Sequence, residues 1–97
     1  MCGIAGIVTV DRTTPDASKL DSMRAALSHR GPDGHAVWVS GDTGLVHTRL
    51  AIIDLETGEQ PLFMPDGTAL VANGEIYNYI ELRGELIDAD FSTHSDC

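Results

Sequence analysis

Cysteine follows the initiator methionine, and that position gives Cys2 a chemistry no internal cysteine has. Initiator methionine is normally removed when the second residue is small, which leaves Cys2 as the first residue. Its thiol then lies beside its own α-amine, whose reference pKa of about 8 is close to the ~8.5 of a free thiol. An amine that is substantially neutral near neutral pH accepts the thiol proton, directly or through a water, so one residue supplies both nucleophile and base. The alternative is an incidental cysteine beside the start codon. Gly3-Ile4-Ala5-Gly6 bears on the choice, because small residues after the cysteine allow close approach of substrate and neighbouring backbone, and a strand behind them would hold the terminus rigid.

Acyl transfer through a thiolate needs donors aimed at a developing oxyanion. Asn73-Gly74 offers two, a side-chain amide and a backbone N–H that no side chain obstructs. As an isolated dipeptide, Asn-Gly equally reads as an ordinary turn. Arg49 interrupts an otherwise largely apolar run, Val46 to Ile53, as either a snorkelling edge residue or a bidentate clamp for a carboxylate. Glu75 and Asp96 are candidates for a substrate ammonium, against the plain reading of solvated acidic surface. His29, His35, His47 and His94 lack compact metal-ligand spacing, and core or surface roles are their default, with a Cys2–His dyad as a weaker competitor. Neither G-x-x-x-x-G-K-[ST] nor G-x-G-x-x-G occurs, so the chain offers no recognisable phosphate cradle.

The elements that must position these residues follow from pattern. Gly3 to Val10 is short, apolar and β-branched, as a strand buried on both faces would be. Thr14-Pro15 reads as an N-cap and first helical residue, Leu20, Met23 and Leu27 give the helical period, and Gly31 stops the helix. His35 to Val39 is the next strand, joined hairpin-fashion across Gly41 to Gly44 to a run from Leu45 to Asp54. A loop around Gly58 and Pro61 leads to two short strands joined across Met64 to Gly67, the second spanning Thr68 to Ala72. Asn78 with Glu81 is a capping-box pattern opening a helix through about Ile87, and Ser95-Asp96 reads as the cap and first turn of another. The class expected is α/β (α+β), with mostly antiparallel pairing.

Composition narrows the partners. The 97 residues carry 6 Lys+Arg against 15 Asp+Glu, a formal charge of −9, which argues against nucleic acid or an acidic membrane surface. Hydrophobic residues make up 42% of the chain, enough for a core. The opening apolar stretch is too short to span a bilayer and has no basic region ahead of it. Cys2 and Cys97, at opposite ends, form no disulfide framework and suggest a reducing, cytoplasmic setting.

Taken together, Met1-Cys-Gly-Ile-Ala-Gly-Ile-Val8, His29-Arg-Gly-Pro-Asp-Gly34, Arg49-Leu-Ala-Ile-Ile-Asp54, Asn73-Gly-Glu-Ile-Tyr-Asn78 and Ser95-Asp96 closely resemble, in this order, the class II glutamine amidotransferase (glutaminase) domain of glutamine-hydrolysing asparagine synthetases. The resemblance covers residues 1–97. It implies the N-terminal nucleophile hydrolase fold, a four-layer αββα sandwich with antiparallel sheets, of which this chain would be the N-terminal portion. It implies Cys2 as the nucleophile toward the side-chain amide of L-glutamine, with its own amine as base and then acid. Asn73 and Gly74 would form the oxyanion hole, Arg49 would pair with the substrate α-carboxylate, and Glu75 and Asp96 with its α-ammonium. Backbone groups of Ile52 and Ile53 would line the same pocket.

No cofactor is expected in this chain. ATP and magnesium would belong to a separate synthetase domain that uses the ammonia to convert aspartate to asparagine, and a homodimer is compatible with the family. The family's glutaminase domain extends past Cys97. Relatives with another ammonia acceptor, and a glutamine-binding fragment without turnover, are the competing readings.

Overall fold

The computed structural model describes residues 1–52 and 58–91. It is a mixed α/β arrangement with antiparallel sheets. Strand β1 (Gly3–Val8) leads through helix α1 (Ala17–Ala26) to β2 (Gly34–Ser40) and β3 (Thr43–Arg49), which form a three-stranded sheet in the order β1-β3-β2. A two-stranded hairpin of β4 (Leu62–Phe63) and β5 (Ala69–Leu70) follows, and then helix α2 (Tyr79–Glu85). Among the described residues no helix is long and apolar enough to cross a membrane.

β3 is the centre of the sheet because both neighbours pair with it. Val46 faces Ala5 on one side and Val37 on the other, and His47 lies between Ile4 and Ala36. The turn joining β2 to β3 needs only Gly41-Asp42, with Gly41 at φ +55 supplying the left-handed position a two-residue hairpin requires.

The two faces of the sheet are covered by different elements. On one face α1 lies over the central strand β3 and reaches both β1 and β2: the side chain of Leu20, fully buried, packs where a Cβ on Gly44 would stand 2.7 Å from Leu20 Cδ1. Thr48 Oγ1 donates to the Leu27 carbonyl at 3.1 Å and ties β3 to the end of the helix. On the other face the hairpin reaches β2, where the Trp38 and Phe63 rings meet in a tilted contact with centroids 5.9 Å apart. Left over are Val37 and Val39 on the helix side and Ile4 and Val8 on the hairpin side, all exposed. β1 is therefore an edge strand with alternating burial, and the expectation of a strand buried on both faces fails there.

Several boundaries differ from the sequence pattern for local physical reasons. The cap of α1 is Asp16, not Thr14: Asp16 Oδ1 accepts the Ser18 N–H at 2.9 Å and the Ser18 hydroxyl at 2.8 Å, and Pro15 stands buried before the cap. The helix ends at Ala26 with Leu27 as its C-cap, so Gly31 does not stop it. Gly31 is required for close approach instead, since a Cβ there would lie 2.3 Å from the Thr48 carbonyl carbon.

β3 ends at Arg49 rather than running to Asp54, because Asp33 takes over the backbone beyond it. The Asp33 N–H donates to the Arg49 carbonyl at 3.0 Å and Asp33 Oδ2 accepts the Ala51 N–H at 2.8 Å. The second hairpin strand is shortened to Ala69–Leu70. Asn78 precedes α2 but makes no side-chain capping bond, and the helix ends at Glu85 with none of its residues buried. The helix expected at Ser95, and Cys97, lie outside the described residues.

Candidate functional site

The sheet face opposite α1 carries the chemistry. Strand alternation sends Ile4, His47 and Arg49 to this face. A cleft of about 350 Å³ opens here, lined by Met1 and Cys2 ahead of β1, His47 and Arg49 of β3, and Leu50 and Ile52 just beyond it, together with Gly58 and Gln60. Its far wall is Ala72, Asn73, Gly74, Glu75 and Tyr77. Six of the eight residues singled out from sequence, Cys2, Arg49, Ile52, Asn73, Gly74 and Glu75, thus border one cleft. Ile53 and Asp96 lie outside the described residues.

Cys2 is held from two directions and is a free thiol of intermediate burial. The Leu50 N–H is directed at Sγ at 3.4 Å, and Sγ stands 3.9 Å from the Leu50 carbonyl. Arg30 Nε donates to the Cys2 carbonyl at 3.1 Å. The turn after α1, the start of β1 and the end of β3 therefore meet at this one residue. Met1 is exposed and borders the cleft, so its removal would uncover the α-amine of Cys2 directly at the opening.

Arg49 ends β3, and its guanidinium lies against Gly58. A Cβ on Gly58 would stand 2.7 Å from Arg49 Nη2 and 3.3 Å from Cζ. That glycine, buried and read from sequence only as part of a loop, is what leaves room for the cation. Asn73 and Gly74 follow β5 in a segment without regular structure and are exposed at the cleft wall, with open space where a Gly74 Cβ would stand.

His47 is the buried titratable group of the site, 2% exposed. Burial lowers its pKa below the ordinary 6.5, the polar Ala72 backbone facing the ring opposes this, and the nearby Arg49 charge adds to the lowering. It is therefore a neutral imidazole at neutral pH, and its Nε2 has no hydrogen-bond partner among the described residues. Gln60, preceding Pro61, accepts the Ala72 N–H on Oε1 at 2.6 Å.

Sequence reasoning gives no site role to Arg30, Gly58 or Gln60, and offers His47 only as one of four histidines for a weakly favoured dyad with Cys2. Only His47 carried a usable signal: two residues before Arg49 on one strand, it must share that residue's face. Among the described residues no group of three or more His, Cys, Asp or Glu side chains is gathered as metal ligands would be.

What this arrangement offers, among the described residues, is a thiol, a cation, amide donors and the Glu75 carboxylate around one cleft. Comparison with known proteins agrees with it. Residues 1–97 match the family model described as a glutamine amidotransferase domain. Over its full length the chain is 47% identical to "Probable asparagine synthetase (glutamine-hydrolyzing)" of Dictyostelium discoideum, covering 18% of that protein. It is 43% identical to an asparagine synthetase (glutamine-hydrolyzing) of Arabidopsis thaliana, covering 17%, and 41% identical to one of Bacillus subtilis (strain 168), covering 14%. The chain spans less than a fifth of the length of these relatives. It belongs to the glutamine amidotransferase domain family, homologous to the N-terminal part of glutamine-hydrolysing asparagine synthetases.

Proposed function

We propose that this chain hydrolyses the side-chain amide of L-glutamine, with Cys2 as nucleophile, and that the ammonia serves asparagine synthesis. The observation that carries the reading is the convergence of Cys2, Arg49, Asn73 and Gly74 on a single cleft. After loss of Met1, the Cys2 α-amine takes the thiol proton and the thiolate attacks the amide carbon. The Asn73 amide and the Gly74 N–H donate to the resulting oxyanion. Collapse breaks the C–N bond, the α-ammonium returns its proton to the departing ammonia, and a γ-glutamyl thioester remains on Cys2. Water then attacks the thioester, giving L-glutamate and the free thiol.

Glutamine is a zwitterion beyond its amide, so the cleft must hold one anion and one cation. Arg49 is assigned to the α-carboxylate, Glu75 and Asp96 to the α-ammonium, and Ile52 and Ile53 to the backbone lining between them. ATP and magnesium are assigned to a separate synthetase domain, which activates aspartate and consumes the ammonia. A cytoplasmic setting and a homodimer belong to the same proposal.

The test is release of glutamate and ammonia from glutamine by the full-length polypeptide and by its Cys2→Ala variant. Equimolar products that vanish in the variant support the reading. Glutamine binding by calorimetry with no ammonia release, unchanged in Cys2→Ala, would instead identify a binding module.

A further inference from the structure

Ala72, immediately before the proposed oxyanion donors, is held through its backbone. Its N–H donates to Gln60 Oε1 at 2.6 Å, and its backbone faces the buried His47 imidazole. His47 reaches it from the central strand and Gln60 from the loop before β4. Both residues, together with Arg49, also line a second, smaller cavity of about 190 Å³ and so stand between the two spaces.

Such a grip matters because the strand ladder gives no support here. β5 ends at Leu70, residues 71–76 have no regular structure, and nothing stands within 4 Å of where a Gly74 Cβ would be. An oxyanion donor stabilises a transition state only when it is held in place before charge develops. We propose that His47 and Gln60 are positioning residues that hold Ala72 and thereby fix the Asn73 amide and the Gly74 N–H toward the Cys2 sulfur. The inference rests on the reading of Asn73 and Gly74 as oxyanion donors. Neither positioning residue has to touch glutamine. Their loss should slow acylation and leave the amino-acid clamp at Arg49 intact, so kcat falls while KM holds.

The experiment is steady-state glutamine hydrolysis by the full-length polypeptide carrying Asn73→Ala, Gln60→Met, Gln60→Glu, His47→Leu, and the Gln60→Met/Asn73→Ala pair. Methionine keeps the length of Gln60 without the acceptor, and glutamate keeps the acceptor. Gln60→Met should lose about 10- to 100-fold in kcat, within the range for impaired oxyanion donors, with KM changed less than about threefold. Gln60→Glu should recover most of that loss, and His47→Leu should follow Gln60→Met. In the Asn73→Ala background, Gln60→Met should cost little further, because its effect passes through the residue already removed.

Wild-type kcat in Gln60→Met, or a full multiplicative loss in the pair, overturns the inference while leaving the oxyanion reading standing. An Asn73→Ala variant with undiminished kcat overturns the oxyanion reading itself. If His47→Leu fails to fold, the Gln60 variants decide alone.

Discussion

Arg30 and Cys2 are joined through the backbone, the Arg30 Nε–H donating to the Cys2 carbonyl at 3.1 Å across 28 residues of sequence. The bond fixes a chain terminus, the part of a polypeptide most prone to fray. It does so without occupying the sulfur, which the Leu50 N–H meets separately. A nucleophile that is also a terminus needs such an anchor, because small displacements of a reacting group are costly in rate.

Arg30→Met should therefore leave the fold intact and slow alkylation of Cys2 by a glutamine-analogue diazo ketone by about 10-fold or more, given how steeply rate depends on placement. The rate of mass gain on the Cys2 peptide reads this directly. An unchanged labelling rate would show that the Leu50 contact alone suffices.

Gly58→Ala should weaken glutamine binding more than turnover. The added Cβ would come within 2.7 Å of Arg49 Nη2, the mobile end of a long side chain, so the guanidinium shifts and the fold survives. KM should rise about 10-fold with kcat within threefold, the pattern of lost ground-state binding. A fall in kcat at constant KM would contradict the assignment of Arg49 to the α-carboxylate.

Gly31→Ala and Gly74→Ala should separate structural from functional glycine. At Gly31 the new Cβ meets the backbone of Thr48 and Arg49 at 2.3–2.5 Å, and β3 or the turn must move. Denaturant unfolding should show a loss of about 3 kcal/mol, the upper part of the range for overpacking, or outright misfolding. Gly74→Ala meets nothing within 4 Å and should unfold like the wild type while hydrolysing glutamine more slowly.

How much of this was legible in the sequence depends on the range of the interaction. The Gly41 hairpin, the position of α1 and the antiparallel pairing follow from turn chemistry and periodicity, which act within a few residues. The cap of α1 falls at Asp16 because two acceptor-bearing candidates, Thr14 and Asp16, flank Pro15, and only Asp16 has Ser18 two residues on to donate both an N–H and a hydroxyl to it. Gly31 was legible as special but for the wrong reason, since its neighbour Thr48 is 17 positions away. Cys2, Arg49 and Asn73 could be singled out because their chemistry is unusual in place. Gln60 could not, because an amide beside a proline carries no mark of the Ala72 N–H it will meet.

Acidification should destabilise the fold through His47. Its pKa is lowered in the folded state, so the unfolded chain binds the proton first as pH falls through about 6.5. The stability associated with the neutral ring is fully present above 6.5 and declines as pH drops from there toward the lowered native value. Urea midpoints between pH 7.5 and 5 should fall in the wild type, and fall less in His47→Gln. Equal slopes in the two proteins would remove His47 from the account.

The central claim is that Cys2, freed of Met1, is the nucleophile toward glutamine. The most direct measurement is mass spectrometry of the full-length polypeptide after treatment with the glutamine-analogue diazo ketone. The expected result is an N-terminal peptide that begins at Cys2 and carries one stoichiometric adduct on that residue, with excess glutamine protecting it. A folded protein that retains Met1, or one whose adduct sits elsewhere or is absent, would contradict it.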